Sequence, residues 1–274
     1  MTGLLKADLR RVFKDKLLIV MGILAVAFAV VTSLLYAVMF LGMSEIDAEF
    51  ASAMLNISGK VQFFSCFSLG NNMGLIAPVF LAIVLCKDFS FGTVRNKIIA
   101  GKSRTSIFLS LFITCSIVYI AVMLLYAFIT LGVSLLFFDY QSTPFTAADF
   151  HYFCTSLGFE ILAMLYVSAM LSWLCASMKN VGIVIVLYVA VAFVLSMGGS
   201  ILPAVVSTME MAGGNSHIIS ILHFIDRINV GSMYIGFGTE YTLEDALYLT
   251  IPPMLSIAGF VLLGVYQFNK KDLK

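Results

Sequence analysis

Few residues in this 274-residue chain have the types and spacing that chemistry needs. Three histidines, His151, His217 and His223, stand outside any His-Glu-x-x-His arrangement that would bind zinc. Five cysteines (Cys66, Cys86, Cys115, Cys154 and Cys175) lie in or beside apolar stretches without metal-ligand spacing, which reads as reduced, packed thiols. Ala100-Gly101-Lys102-Ser103 looks like the end of a phosphate-binding loop, but the motif's first glycine belongs where Asn96 stands. No nucleotide site follows, so any ATP the protein uses is bound by another chain. The remaining chemistry is one carboxyl, Glu160, set inside an apolar run. A charge there costs about 2.5–3.5 kcal/mol on insertion scales, so it should face the bundle, a partner or a wet cavity. Substrate contact, proton binding, or a structural hydrogen bond to Tyr126, Tyr188 or the Asn71-Asn72 pair all fit it.

The elements that must position these residues follow from composition. The chain is 61% hydrophobic and 11% charged, against about 45–50% and 25% for a soluble protein. So few charges cannot cover a water-soluble surface, which excludes a cytosolic enzyme, a nucleic-acid binder and a disordered chain. A helix crossing a hydrocarbon core of about 30 Å needs about 20 apolar residues. Six segments qualify: 17–41, 62–86, 106–138, 152–177, 181–207 and 246–268. Their continuous apolarity excludes barrel strands. The expected fold is a single all-α polytopic membrane domain. The first run is longer than a signal-peptide core and reads as an anchor that stays. Pro78, Pro203, Pro252 and Pro253 should interrupt and kink their helices. Gly70-Asn71-Asn72-Met73-Gly74 offers a small-residue contact with two amides, suited to subunit pairing or to packing within the chain.

The net charge of +1 hides a strong asymmetry. Segments 1–16, 87–105, 178–180 and 269–274 hold 14 of the 16 basic residues and four acids, a balance of +10. The alternate segments hold two basic residues and ten acids, a balance of −8. Basic residues near span ends stay on the cytoplasmic side, so both termini are expected inside. Leu5, Leu9, Val12 and Phe13 share one face of an N-terminal helix 4–15, with Lys6, Arg10, Arg11 and Lys14 as its basic part. That pattern suits a helix lying in the inner headgroup layer. In the external segment 208–245, an apolar set from Ile218 to Ile228 is too short to span and reads as an interfacial or re-entrant helix.

The segment 87–105 between the second and third spans mixes five basic residues with aromatic and aliphatic ones. Phe91, Val94 and Ile98 fall at helical spacing, with Gly101 as the stop. Apolar knobs with a basic rim suit docking into a groove on a partner protein.

This segment carries a family resemblance. Asp88…Gly92-Thr93…Ile98-Ile99…Gly101-x-Ser103-Arg104, opening the next span, resembles the membrane subunits of ABC-type exporters of the second type. The acid is Asp88 where glutamate is frequent in them. The ending Phe268-Asn269-Lys270-Lys271-Asp272-Leu273 is similar to their tail, as are the basic N-terminal helix, the six spans and the long last external loop.

The resemblance implies a permease subunit, not an enzyme, in a bacterial plasma membrane. It would pair with a second permease subunit, identical or different, and rest on a separate cytosolic ATPase that binds ATP and Mg. This chain itself would hold no cofactor and no metal. Asp88, Phe89, Phe91, Gly92, Thr93, Val94, Arg95 and Arg104 would form the coupling element. Glu160, Asn71 and Asn72 are the polar groups placed to meet a hydrophobic or amphipathic cargo such as a peptide, lipid or drug. The rival readings are a secondary transporter or channel, which needs more ionisable residues along its path than Glu160, and a membrane enzyme or assembly factor, which needs a catalytic set.

Overall fold

The computed structural model describes residues 2–44, 58–90, 92–141, 143–178, 180–232 and 241–270. Among these there is no strand. The helices are α1 (Thr2–Phe13), α2 (Lys16–Ser44), α3 (Gly59–Ser65), α4 (Asn72–Ser90), α5 (Thr93–Ile99), α6 (Arg104–Ser134), α7 (Ala147–Ser177), α8 (Val181–Met211), α9 (Ser216–Ile228) and α10 (Leu243–Lys270). Six of them, α2, α4, α6, α7, α8 and α10, are long and apolar enough to cross a membrane.

Helix starts are marked by side chains that accept otherwise unpaired backbone N–H groups. Thr146 and Asp149 form a reciprocal capping box at α7. Thr242 and Asp245 exchange the same bonds before α10. Asn180 accepts from the Gly182 N–H at the start of α8.

The six long helices pack as a bundle around α6 and α7. α2 and α4 lie against α6, α10 lies along α7, and α4 also meets α8. The core holds Tyr119, Met123 and Tyr126 of α6, Met164, Val167 and Leu171 of α7, and Tyr188 of α8. α4, α8 and α10 each run unbroken through their prolines. The expected interruptions are absent there, because the bond a proline removes can be made good locally in a packed helix.

The second span departs from its expected bounds of 62–86. Its first third is a separate short helix, α3, followed by turns from Cys66 to Asn71 before α4 begins. Ser58 caps α3, and the Gly59 and Lys60 N–H groups donate to the Asp139 and Tyr140 carbonyls at 2.9 and 3.0 Å. Phe63 and Phe64 wedge inward, with Phe63 meeting Phe128 and Phe153 at 5.3 and 5.2 Å. Asn71 closes the turn by donating to the Ser65 carbonyl at 2.9 Å and accepting from the Asn72 N–H. Gly74 lies under this turn, where a Cβ would stand 2.0 Å from the Ser68 carbonyl oxygen. Gly70 is outside the helix, so Gly70 and Gly74 do not form one helical contact face; Gly74 serves the approach of the chain to itself.

Candidate functional site

The segment expected at 87–105 folds at the end of the bundle where α1 lies. Lys87, Asp88 and Phe89 occupy the last turn of α4. Phe91 lies outside the described residues. Gly92 enters α5 at φ 70°, a left-handed value that favours glycine. α5 stops in a Schellman motif: the Lys102 N–H donates to the Lys97 carbonyl at 3.2 Å, and the Gly101 N–H to that of Ile98 at 2.9 Å. Gly101 has φ 77°. The glycine of the false phosphate-binding motif is thus a helix stop. Ser103 then caps α6 by accepting from the Ser106 N–H.

Beneath α5 lies a cluster of buried charges. Lys97 Nζ is 2.6 Å from Asp8 Oδ1 on α1 and 3.8 Å from Asp88 Oδ2 on α4. Arg11 of α1 forms an ion pair with Asp88. Ser110 of α6 donates to Asp8 Oδ2 at 2.7 Å. Asp8 and Asp88 are each only 2% exposed. At the rim, Lys87 pairs with Asp15 at 2.9 Å, and Asp15 accepts the Leu17 N–H at the start of α2. Five helices are therefore fastened by one set of charges. Burial holds Lys97 below the usual lysine range, although the bond to Asp8 opposes it and Arg11 adds to it. Burial also lowers Arg11, against the pull of Asp8 and Asp15. Burial raises the Asp15 carboxyl, but the Leu17 N–H, then Lys87 and Arg11, hold it below the usual carboxylate range.

A second fastening joins this end to α10. Arg104 donates to the Asn269 carbonyl at 2.9 Å and the Phe268 carbonyl at 3.3 Å, satisfying acceptors at the helix's last turn. Phe268 is fully buried, with Phe89 at 6.0 Å and Phe108 at 6.5 Å. Gly264 makes room for Phe108, whose ring would stand 2.2 Å from a Cβ. Arg104 and Phe268, 164 residues apart in sequence, thus meet in space.

The exposed pattern of α5 and α1 differs from the expected one. Val94, expected as an outward knob, is buried, and Ile98 packs against the core. The exposed apolar knob of α5 is Ile99, 74% exposed, beside exposed Arg95, Asn96, Ala100 and Lys102. Asp88 and Arg104 are taken up by internal partners, and Gly92 and Thr93 are half-buried. On α1 the inward stripe is Leu4, Asp8 and Val12, while Phe13 is exposed. Lys6, Arg10 and Lys14 are exposed, and Arg11 turns inward to Asp88. Sequence reasoning missed Asp8, Lys97, Lys87, Asp15 and Ser110. The available signal was Asp8 itself, spaced four residues from both Leu4 and Val12.

Glu160, Asn71 and Asn72 lie away from this end. Among the described residues, both Glu160 oxygens are buried without a hydrogen-bond partner, in a residue 2% exposed. Tyr188, one partner considered for it, donates instead to the Gly74 carbonyl at 2.7 Å. Asn71 serves the turn before α4, and Asn72 reaches Thr32 at 3.5 Å. Tyr241, hydrogen-bonded to Ser156 at 2.7 Å, is near Glu160; burial raises its phenol, and the Glu160 charge adds to this. Among the described residues no three His, Cys, Asp or Glu side chains gather as a metal site. α9 forms where a short external helix was expected, with no residue buried and Ile221 and Phe224 exposed. It is tied at its middle by the His223–Glu210 contact and in its last turn by the Arg227–Glu244 ion pair.

This is the architecture of an all-α membrane protein with six spanning helices, whose ion-paired end gathers α1, α2, α4, α5 and α6. The model of a family described as a protein of unknown function, DUF2705, matches residues 19–274, and the chain belongs to that family. No curated protein matches it.

Proposed function

We propose that the chain is the membrane-spanning permease subunit of an ATP-driven exporter in a bacterial plasma membrane. Its termini and α5 would be cytoplasmic, where 14 of the 16 basic residues would then lie. It would act with a second permease subunit and a separate ATPase, and move a hydrophobic or amphipathic cargo.

The observation that carries this reading is the construction of α5. Its tip is free and apolar at Ile99, while its inner face is fixed by Lys97 to α1 and α4. A push on the tip would reach the ends of α2, α4 and α6 through ion pairs and hydrogen bonds rather than dissipate in a loose loop. Arg104 and Phe268 would extend the same movement to α10. Such coupling requires two arrangements of this end, biased by the motor.

Glu160 favours the rival reading, a proton-linked secondary transporter, because a buried carboxyl without a protein partner invites a mobile proton. Purification in mild detergent separates the two. A co-purifying ATPase carrying Walker motifs, lost in Ile99→Asp while membrane insertion persists, supports the exporter. Transport by the chain alone in ATP-free liposomes sinks it.

A further inference from the structure

The geometry points to a binding site for an uncharged polyol, such as a hexose, in a polar cavity at the end of the bundle remote from α5. The cavity measures about 440 Å³ and lies between α2, the turn after α3, α6, α8 and the turn Val230–Ser232. Water has a share of about 30 Å³ in the liquid, so the space corresponds to more than ten waters and far exceeds a bare cation. No Asp, Glu, Lys, Arg or His is among the lining residues. A charged ligand would be desolvated there without a counter-charge, a cost an uncharged one avoids.

The hydrogen-bonding state of the wall narrows the chemistry further. Ser65 and Thr130 donate to the carbonyls of Gln62 and Tyr126, both at 2.9 Å, and Ser200 donates to that of Ser196 at 3.1 Å. Each hydroxyl has one proton, so these three offer a ligand only lone pairs. Thr32, Tyr36 and Ser68 also line the space with hydroxyls, so the wall both accepts and donates. Three buried groups without a partner among the described residues stand ready for the ligand's own acceptors. Ser134 donates to Gln62 Oε1 at 2.6 Å, which orients the amide, and Gln62 Nε2 is buried without a partner in a residue 4% exposed. Ser196 Oγ and the Tyr126 hydroxyl are likewise buried and unpartnered. A compound whose hydroxyls each donate and accept matches this pattern. Tyr36, 37% exposed, adds an aromatic side chain to the lining. The room itself depends on small residues. At Gly199 a Cβ would stand 2.6 Å from the Gly231 oxygen, and at Gly70 it would stand 3.3 Å from Ser196 Oγ.

The site stands on the cavity alone and is independent of how the protein is energised. Two sources share the ligand chemistry, a free sugar and the headgroup of a glycolipid. The full chain in lipid nanodiscs would be titrated with D-glucose and, separately, prepared with increasing glucosyl-diacylglycerol, while thermal unfolding is recorded. Saturable stabilisation by either supports the site and identifies the source. Glucosamine and gluconate, charged counterparts, should bind about tenfold more weakly, because desolvating a charge without a partner is unfavourable. Ser196→Leu fills the space and should abolish the response. Ser196→Ala, a milder change for the case where the leucine variant misfolds, should weaken binding about tenfold by removing one hydrogen bond. No saturable response to either probe, equal binding of the charged analogues, or unaltered binding in both variants would overturn the assignment.

Discussion

Lys97→Met tests whether the charges under α5 hold this end of the protein together. The methionine keeps the length and apolar stem of lysine and removes only its charge. At an effective dielectric of about 20, charges 2.6 Å apart attract by about 6 kcal/mol. Those 3.8 Å apart attract by about 4 kcal/mol. Desolvation of the buried charges offsets most of this attraction. Asp8 would keep only the Ser110 hydrogen bond, while Asp88 would keep Arg11. Stranding one partner of a buried pair costs about 3 kcal/mol. Removing both partners in Asp8→Leu with Lys97→Met should recover most of that loss, giving a coupling energy of about 2 kcal/mol. The assay is reversible unfolding in mixed micelles of a mild detergent and dodecyl sulfate, followed by circular dichroism. A single-variant cost under about 1 kcal/mol, or a double variant whose cost is the sum of the two singles, would refute the reasoning.

Three further outcomes are expected. The stabilisation from Asp15 is complete above the ordinary carboxylate value of about 4 and is lost as pH falls through its lowered folded value. Hydrogen exchange of α1 amides should therefore accelerate on acidification; an acid response unchanged in Asp15→Asn would contradict this origin. Gly264→Ala drives a methyl into the Phe108 ring and should cost about 1–3 kcal/mol, read as a lowered melting temperature; an unchanged melt would show that the ring yields freely. Glu160→Leu removes a buried carboxyl that no group among the described residues satisfies, so the melting temperature should hold or rise. A fall would expose a partner for Glu160 in the assembled protein, and Glu160→Gln with normal transport across pH would exclude a titrating role.

The spanning helices were legible because lipid imposes one strong rule, about 20 apolar residues in succession, and the chain obeys it. The second span shows the limit of that rule. Hydropathy is blind to the difference between the start of a spanning helix and a short wedge such as Phe63-Phe64, because both are apolar. The turn was foreshadowed only by Gly70 and Asn71. The charged end was read less well. A helical wheel sorts α1 by apolarity and so discards Asp8, whose partners Lys97 and Ser110 come from distant elements. Val94 and Ile98 shared the spacing of a surface stripe, but packing turned that face inward and left Ile99 outside. Glu160 was found from its type and setting alone, while its lack of a partner is a property of three dimensions.

The bonds from Asp8 also set a timetable. Lys97 and Ser110 follow it by 89 and 102 residues. At about 5–20 residues per second, synthesis delivers them roughly 5–20 s later. Until then the Asp8 carboxylate must remain in water, and α1 must wait beside the membrane with Lys6, Arg10 and Lys14 as its basic face. Docking of α1 is thus a late event, reporting that the start of α6 has been reached.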